Sequence, residues 1–307
     1  KVIMVTGPAG SSGSEIVRQL TKFSPKTIIL FDCAESPLYD IELEIREEYK
    51  FSNIEIVIGD VRDKVLVEQV FDRYKPEIVY HAAAYKHVPM MENHPSEAVI
   101  TNVMGSKILA DTAVRHNVGK FVMISTDKAV NPTNVMGASK RIAEIYTQSL
   151  NNTENVNTQF ITTRFGNVLG SNGSVIPRFR KQIENGGPIT VTDPEITRFF
   201  MTIPEACQLV LIAGNMGKGG EIFIFDMGQP VKIAKLAEKM ILLSGLKVGD
   251  DIEIKYTGLR PGEKLYEELL ATKENTIPTE NKQIMVAKVR VYDHSEVAKP
   301  IEHLIEI

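Results

Sequence analysis

Between Ser125 and Lys140 the chain carries Ser125-Thr126-Asp127-Lys128 and then Met136-Gly137-Ala138-Ser139-Lys140. A hydroxyl can hold a substrate oxygen and a carboxylate can give or take a proton. An amine becomes a base once burial or a neighbouring cation brings its pKa down from about 10.4. The apolar run Lys120 to Ser125 ends at this cluster, and a helical pattern follows Asn134 with Met136 and Lys140 four apart on one face. The spacing predicts reactive groups at a strand end and a helix start.

Elements that could deliver such a cluster alternate along the first half. Lys1 to Val5 reads as a buried strand, followed by Gly7-Pro8-Ala9-Gly10-Ser11-Ser12-Gly13 and the helical pattern Ile16, Val17, Leu20. In Gly-x-x-Gly-x-x-Gly the first glycine permits the tight turn and the second lets backbone approach a pyrophosphate. The helix start, with Ser11 and Ser12, then offers amides to the anion. Three spaced glycines alone are weak evidence. Asp32 ends a second strand, Thr27 to Phe31, about 20 residues on, where a dinucleotide fold places an acid for the ribose 2'-hydroxyl. Capping of the next helix is its other reading. No Arg follows Asp32 within the next dozen residues, which favours NAD over NADP. That next helix groups Leu38, Ile41, Ile45 and Tyr49 on one face.

Further strands end in Gly59-Asp60-Val61 and in His81-Ala82-Ala83-Ala84, where small residues admit a flat ring and Asp60 can accept from an adenine amine. The loop Tyr85 to Glu92 offers Lys86 and His87 to a substrate, although a lone loop histidine is more often structural. Asn102, in a helix expected from Ser96 to His116, is placed beside the nicotinamide.

A sixth strand, Gln159 to Thr163, closes this part. Residues 1–165 form the expected dinucleotide domain, to which 204–226 returns through a strand at Ile222 to Phe225. Residues 166–307 form the expected substrate domain. The fold class is α/β: a Rossmann-type, doubly wound parallel sheet with a smaller C-terminal α/β unit. There, Val175 to Phe179 can wall a uracil or simply pack a core, and Pro188 to Pro194 and Thr197 to Thr202 suggest short strands. A loop at Arg260 to Glu263 precedes Lys264 to Leu270 and a terminal helix.

Composition narrows the partners. With 307 residues, 43% hydrophobic and 24% charged, the chain can bury a large core. A net charge of -4 gives no footprint for nucleic acid. No apolar run is long enough to span a bilayer, so this segment is expected to make no membrane contact of its own. Cys33 and Cys207 are expected as buried free thiols in a reducing compartment. No metal-ligand cluster stands out. The chain opens one residue before an apolar run, which suggests a piece trimmed from something longer.

Taken together, the glycine turn, Asp60, the Ala-Ala-Ala strand end and Ser125 to Lys140 resemble an extended short-chain dehydrogenase/reductase. Tyr85 to Pro89, Thr126 to Ala129, Arg164 to Ser171 and Leu259 to Lys264 narrow the resemblance to its polysaccharide-biosynthesis, CapD-like branch, which contains UDP-N-acetylglucosamine 4,6-dehydratases. It implies NAD as cofactor, a UDP-sugar as substrate and a homo-oligomer. It also implies a cytoplasmic location, as the cytoplasmic domain of a longer inner-membrane-anchored protein. The roles carried over put Thr126 on the sugar O4, Asp127 as acid, Lys128 as base and Lys140 on the nicotinamide ribose. Arg198 and Arg260 go to the diphosphate, Asn167 to the pyrophosphate and Glu263 to a ribose hydroxyl; Lys86, His87, Val175, Arg178 and Thr190 complete the substrate set. Met136 departs from the superfamily's Tyr-x-x-x-Lys, and a thioether can neither donate nor take a proton. In the resemblance, Met here marks the dehydratases that retain configuration at C5, whereas the C5-inverting members carry Tyr.

Overall fold

The computed structural model describes residues 1–268 and 276–306. Strand β1 (Val2–Thr6) leads into helix α1 (Ser11–Thr21), β2 (Thr27–Asp32) into α2 (Glu35–Glu47), and β3 (Ile54–Ile58) into α3 (Lys64–Tyr74). After β4 (Ile78–His81) come two short helices, α4 (Val88–Asn93) and α5 (Pro95–Ala98), a π-helical segment Val99–Gly105, and α6 (Ser106–Arg115). Next are β5 (Lys120–Thr126), a 3-10 turn Asp127–Ala129, α7 (Val135–Leu150) and β6 (Gln159–Phe165). The second half runs β7 (Asn167–Leu169), α8 (Val175–Glu184), β8 (Ile189–Val191), β9 (Thr197–Arg198), β10 (Phe200–Thr202) and α9 (Ile203–Met216). It continues through β11 (Ile222–Phe225), β12 (Val231–Lys232), α10 (Ile233–Leu243), β13 (Ile254–Tyr256), β14 (Thr276–Pro278), β15 (Ile284–Ala287) and α11 (His294–Glu306).

Strands as apolar as Val-Ile-Met-Val-Thr and Thr-Ile-Ile-Leu-Phe-Asp must be covered on both faces, and they are. They form a parallel sheet in the order β3-β2-β1-β4-β5-β6-β11, extended by antiparallel β15 and β14. One core packs α1, α2 and α9 against one face, and another packs α3, α6, α7 and α11 against the other. The expected Rossmann-type sheet is therefore present. Its order reverses between β1 and β4, so a crevice opens at their carboxyl ends. A separate small core of Phe179, Ile189, Val191, Ile196, Ile233, Ala237, Ile241 and Ile252 holds the second unit.

Several expectations are corrected. The substrate unit is not one stretch from 166 to 307: besides β11, strands β14 and β15 join the main sheet and α11 packs on α7 and the π segment. Alternation too short to read in the sequence hid these edge strands. The helix expected from Ser96 to His116 is α5, a π segment and α6: Ala98 of α5 packs with Met91 and Met136, whereas Val103 and Leu109 pack against the main sheet. Tyr85 to Glu92 is a loop only to His87. Tyr49 is exposed because α2 ends before it, at Glu47. Cys33 is exposed beyond the end of β2, whereas Cys207 is buried. Thr197 to Thr202 divides between two small sheets, β9 with β12 and β10 with β7. The stretch from Lys264 has no regular structure as far as Glu268, and its end, Leu269 and Leu270, lies outside the described residues.

Candidate active site

The crevice begins at the glycine turn. Gly7 has φ +75°, and a Cβ on it would come within 2.6 Å of the Ala83 amide nitrogen; a Cβ on Gly13 would sit 2.0 Å from the Gly7 carbonyl. Only glycine lets β1, β4 and α1 meet this closely. Helix α1 starts at Gly10 with no side-chain cap and no acid in its first turn, leaving its leading amides to an anion. Asp32 accepts from the Ala9 and Ala34 amides, both at 3.0 Å, so its carboxylate is fixed at the lip of the turn with lone pairs to spare. These features fit a dinucleotide.

Other residues of the expected cofactor set are engaged within the protein. Asp60 accepts from the Arg62 amide at 2.9 Å and guanidinium at 2.8 Å. Burial alone would push its carboxyl up; the arginine outweighs that and holds it below the usual carboxylate range. An adenine amine would have to share it. Val61 is buried against Gly105, and Ala82 to Ala84 line the end of β4. Asn102, expected beside the nicotinamide, clamps two segments of the chain together. It has no exposed surface, its amide hydrogens go to the Tyr85 carbonyl (3.0 Å) and the Ser139 hydroxyl (3.0 Å), and its oxygen accepts from the Tyr85 amide (2.8 Å). Next to it His81 is sealed between Thr6 Oγ1 (2.8 Å) and Ser106 Oγ (2.9 Å). Burial, then the Lys140 charge, push its imidazole down to about 3.

The reactive cluster lies where β5 ends. Thr126 Oγ1 donates to Asp127 Oδ1 at 2.8 Å, and Lys128 Nζ donates to the same oxygen at 3.0 Å and to Asn167 Oδ1 at 3.2 Å. Asp127 is 1% exposed, and its Oδ2 has no hydrogen-bond partner. A buried carboxyl oxygen without a partner is costly in a site of no function. Gly166 faces it: a Cβ there would come within 3.0 Å. Asn134 caps α7 by accepting from the Gly137 amide at 2.7 Å, and a Cβ on Gly137 would meet the Lys128 carbonyl at 2.2 Å, so this glycine lets α7 press against the 3-10 turn.

Behind the turn, Lys140 is buried and donates to the Ile124 carbonyl at 2.7 Å; burial pushes it down to about 8, with Glu144 opposing. Glu144 is wholly buried and accepts from Ser125 (2.6 Å), Arg141 (3.0 Å) and both arms of Arg164. Ser125 therefore braces the strand end instead of facing the crevice. Met136, 2% exposed, packs with Met91 and Ala98. Met136 is thus an apolar plug at this end of α7.

On the other side of the crevice, a loop from Arg260 to Glu268 lies across the segment after β5. Asn134 donates to the Gly262 carbonyl (3.0 Å), Lys264 Nζ to the Asn131 carbonyl (2.7 Å), and Asn131 to Glu268 (2.8 Å). Arg198, expected on the diphosphate, tethers this strap. It is 7% exposed, and its guanidinium donates to the carbonyls of Thr197 (2.7 Å), Lys264 (2.9 Å) and Leu265 (3.3 Å). Glu263 lies between Arg198 (3.5 Å) and Arg260 (3.3 Å), so its ribose role would compete with both. Asn167 sits at Lys128, by the reacting groups. Arg178 and Gln182 donate to Thr190 Oγ1 at 2.9 and 2.8 Å, and Val175 is half-buried at the start of α8. His87 faces Gly173, whose added Cβ would lie 2.7 Å from its ring; burial pushes Lys86 down, and burial with the Lys86 charge does the same to His87. Glu267 is the residue that sequence reasoning missed: its carboxylate lies 3.8 Å from Lys128 and 3.9 Å from Arg198, and no local pattern marks it.

Residues 3–289 match the family described as polysaccharide biosynthesis protein. The chain belongs to that family. It is 54% identical over 99% of its length to the capsular polysaccharide biosynthesis protein CapD of Staphylococcus aureus, of which it covers 51%. Over 89% of its length it is 51% identical to the probable polysaccharide biosynthesis protein EpsC of Bacillus subtilis, of which it covers 46%. It thus spans about half the length of these curated relatives. Among solved structures, Pen from Bacillus thuringiensis superposes with a TM-score of 0.87 at 34% identity, covering 96% of this chain and 89% of that one. The fold is also that of a dTDP-glucose 4,6-dehydratase, DesIV of Streptomyces venezuelae, solved with NAD bound (TM-score 0.76, 23% identity, covering 86% of each chain).

Proposed function

We propose that the chain carries out NAD-dependent 4,6-dehydration of UDP-N-acetylglucosamine, giving a UDP-4-keto-6-deoxy sugar with retention at C5, for surface polysaccharide synthesis. The observation that carries this reading is the contiguous set Thr126, Asp127 and Lys128 beside a dinucleotide crevice, with Asp127 Oδ2 buried and unpartnered. When bound, NAD accepts a hydride from C4 and returns it to C6. Thr126 holds the sugar O4 and hands its proton to Asp127, to which its hydroxyl already donates. Lys128, as the free amine, takes the C5 proton that the new ketone has acidified. Asp127 then delivers its proton to the departing C6 hydroxyl, and Lys128 returns one to C5. Proton bookkeeping closes: two leave the sugar and two go back. Lys140, behind the turn, sets the charge beside the nicotinamide ribose. Met136 performs no proton step.

A second reading, UDP-sugar 4-epimerisation, is favoured by the relatives named UDP-glucose 4-epimerase in Rickettsia canadensis, 34% identical over 97% of this chain. Asp127 and Lys128 are the groups that an epimerase would leave idle. We place the domain on the cytoplasmic face of a longer membrane-anchored protein, a reading supported by a 50% identical relative in Methanocaldococcus jannaschii that is named an uncharacterized membrane protein. No helix among the described residues is long and apolar enough to cross a membrane.

The test is incubation with UDP-N-acetylglucosamine and NAD in deuterated water, followed by NMR of the product. A 4-keto-6-deoxy sugar with deuterium at C5 and unchanged configuration is expected, and Lys128→Ala should lower its formation by about 100-fold or more. A C4 epimer that keeps its 6-hydroxyl would select the second reading instead.

A further inference from the structure

A base at C5 must be a neutral amine, yet Lys128 lies among acceptors: Asp127 Oδ1 at 3.0 Å, Asn167 Oδ1 at 3.2 Å and Glu267 Oε1 at 3.8 Å. Before Lys128 can act, a proton must leave it. Asp127 cannot keep that proton, because it has to accept the one from O4. Asn167 is an amide and cannot take it. Glu267 is the remaining group. Its side chain is 4% exposed and sits just outside hydrogen-bond range of Lys128 but within ion-pair range. The strap that carries it is pinned to the catalytic turn on both sides, by Lys264 on the Asn131 carbonyl and by Glu268 on Asn131. Resting on the dehydratase reading above, we propose that Glu267 takes the proton that Lys128 gives up: one N–H bond of Lys128 breaks, one O–H bond of Glu267 forms, and the pair becomes amine and neutral carboxyl.

Elementary electrostatics favours the transfer once substrate displaces water, because a neutral pair costs less to desolvate than an ion pair. The groups facing Glu267 are Lys128 and Asp127 on the 3-10 turn, Arg198 on β9, and Lys264 on its own strap. Burial pushes the Glu267 carboxyl up and Asp127 adds to this, against the three cations, with a net upward direction. A carboxyl so placed holds a proton more readily than one exposed to water. Because the carboxyl acts through Lys128, its signature is the shape of the pH profile. A pair that shares one proton keeps its composition over a wide range of pH, whereas a lone lysine must lose its proton to solvent.

The experiment compares wild type, Glu267→Gln and Glu267→Asp for product formation across pH, with Tm and UDP affinity as controls for folding. The wild type should show a flat plateau through neutral pH. The Gln variant should fall at least about tenfold at pH 7 and climb as pH rises. The Asp variant, its carboxyl one methylene farther away, should lie between them, and it carries the test if the Gln variant does not fold. A variant profile that keeps the wild-type shape, at any height, overturns the proposal. Infrared difference spectra of wild type minus variant, with UDP and NAD bound, decide the point without turnover. A protonated-carboxyl band persisting above the ordinary carboxylate range supports it, and its absence overturns it. If wild type forms no product, the dehydratase reading fails and the infrared result still stands for Glu267.

Discussion

At Gly137 a single hydrogen atom decides where Lys128 sits. Replacing it by a methyl sets a carbon 2.2 Å from the Lys128 carbonyl oxygen, and neither the α7 backbone nor the turn can yield without moving the reactive amine. Gly137→Ala should therefore lower kcat by about tenfold or more while Kd for NAD stays near the wild-type value, since misplacing a positioned group by about 1 Å costs on that scale. Steady-state kinetics with a cofactor titration checks this. Residues such as Thr126, Asp127 and Lys128 were legible because they adjoin one another in the chain and their chemistry is complementary. Glu267 and the burial of Glu144 were not, since each acquires its meaning from partners on other elements. Arg198 shows the converse: its type matched a phosphate ligand, but its position spends the guanidinium on strap carbonyls.

The π segment from Val99 to Gly105 turns Asn102 inward at the point where the loop after β4 and the first turns of α7 come together. Asn102→Ala would leave the Tyr85 amide and carbonyl without their partner in a part-buried place. The expected cost is about 1–3 kcal/mol in urea denaturation, together with weaker NAD binding as the loop loosens. Unchanged stability would mean that the clamp is redundant. The sequence reading placed a helix here, but a π turn inserts no distinctive residue type, so the break and the clamp it creates were invisible. The dinucleotide turn was legible at this scale because a positive φ and two close backbone approaches admit hardly any residue but glycine.

Over the whole molecule, the buried His81 makes stability depend on acid. Its pKa falls from 6.5 in the unfolded chain to about 3 in the fold, so between those values the unfolded state binds more protons. Stability is then full above about pH 6.5 and is lost as pH falls toward 3, at up to about 1.4 kcal/mol per pH unit from this group. Denaturation of wild type and His81→Asn at pH 7, 5 and 4 should show a shallower acid slope in the variant. The parallel order of the first six strands followed from alternating apolar runs and helical patterns. The return of β14, β15 and α11 to the same body did not, because edge strands of three and four residues carry too little pattern.

Because of that return, the body of the sheet is finished only at the end of synthesis. A chain emerging from the ribosome brings out β1 to β6 and the glycine turn first, before α9 and α11 are made to complete the two cores of the sheet. The strap comes next, and the closing edge of the sheet after it. Glu267 thus reaches Lys128, translated long before it, only when the strap has been made.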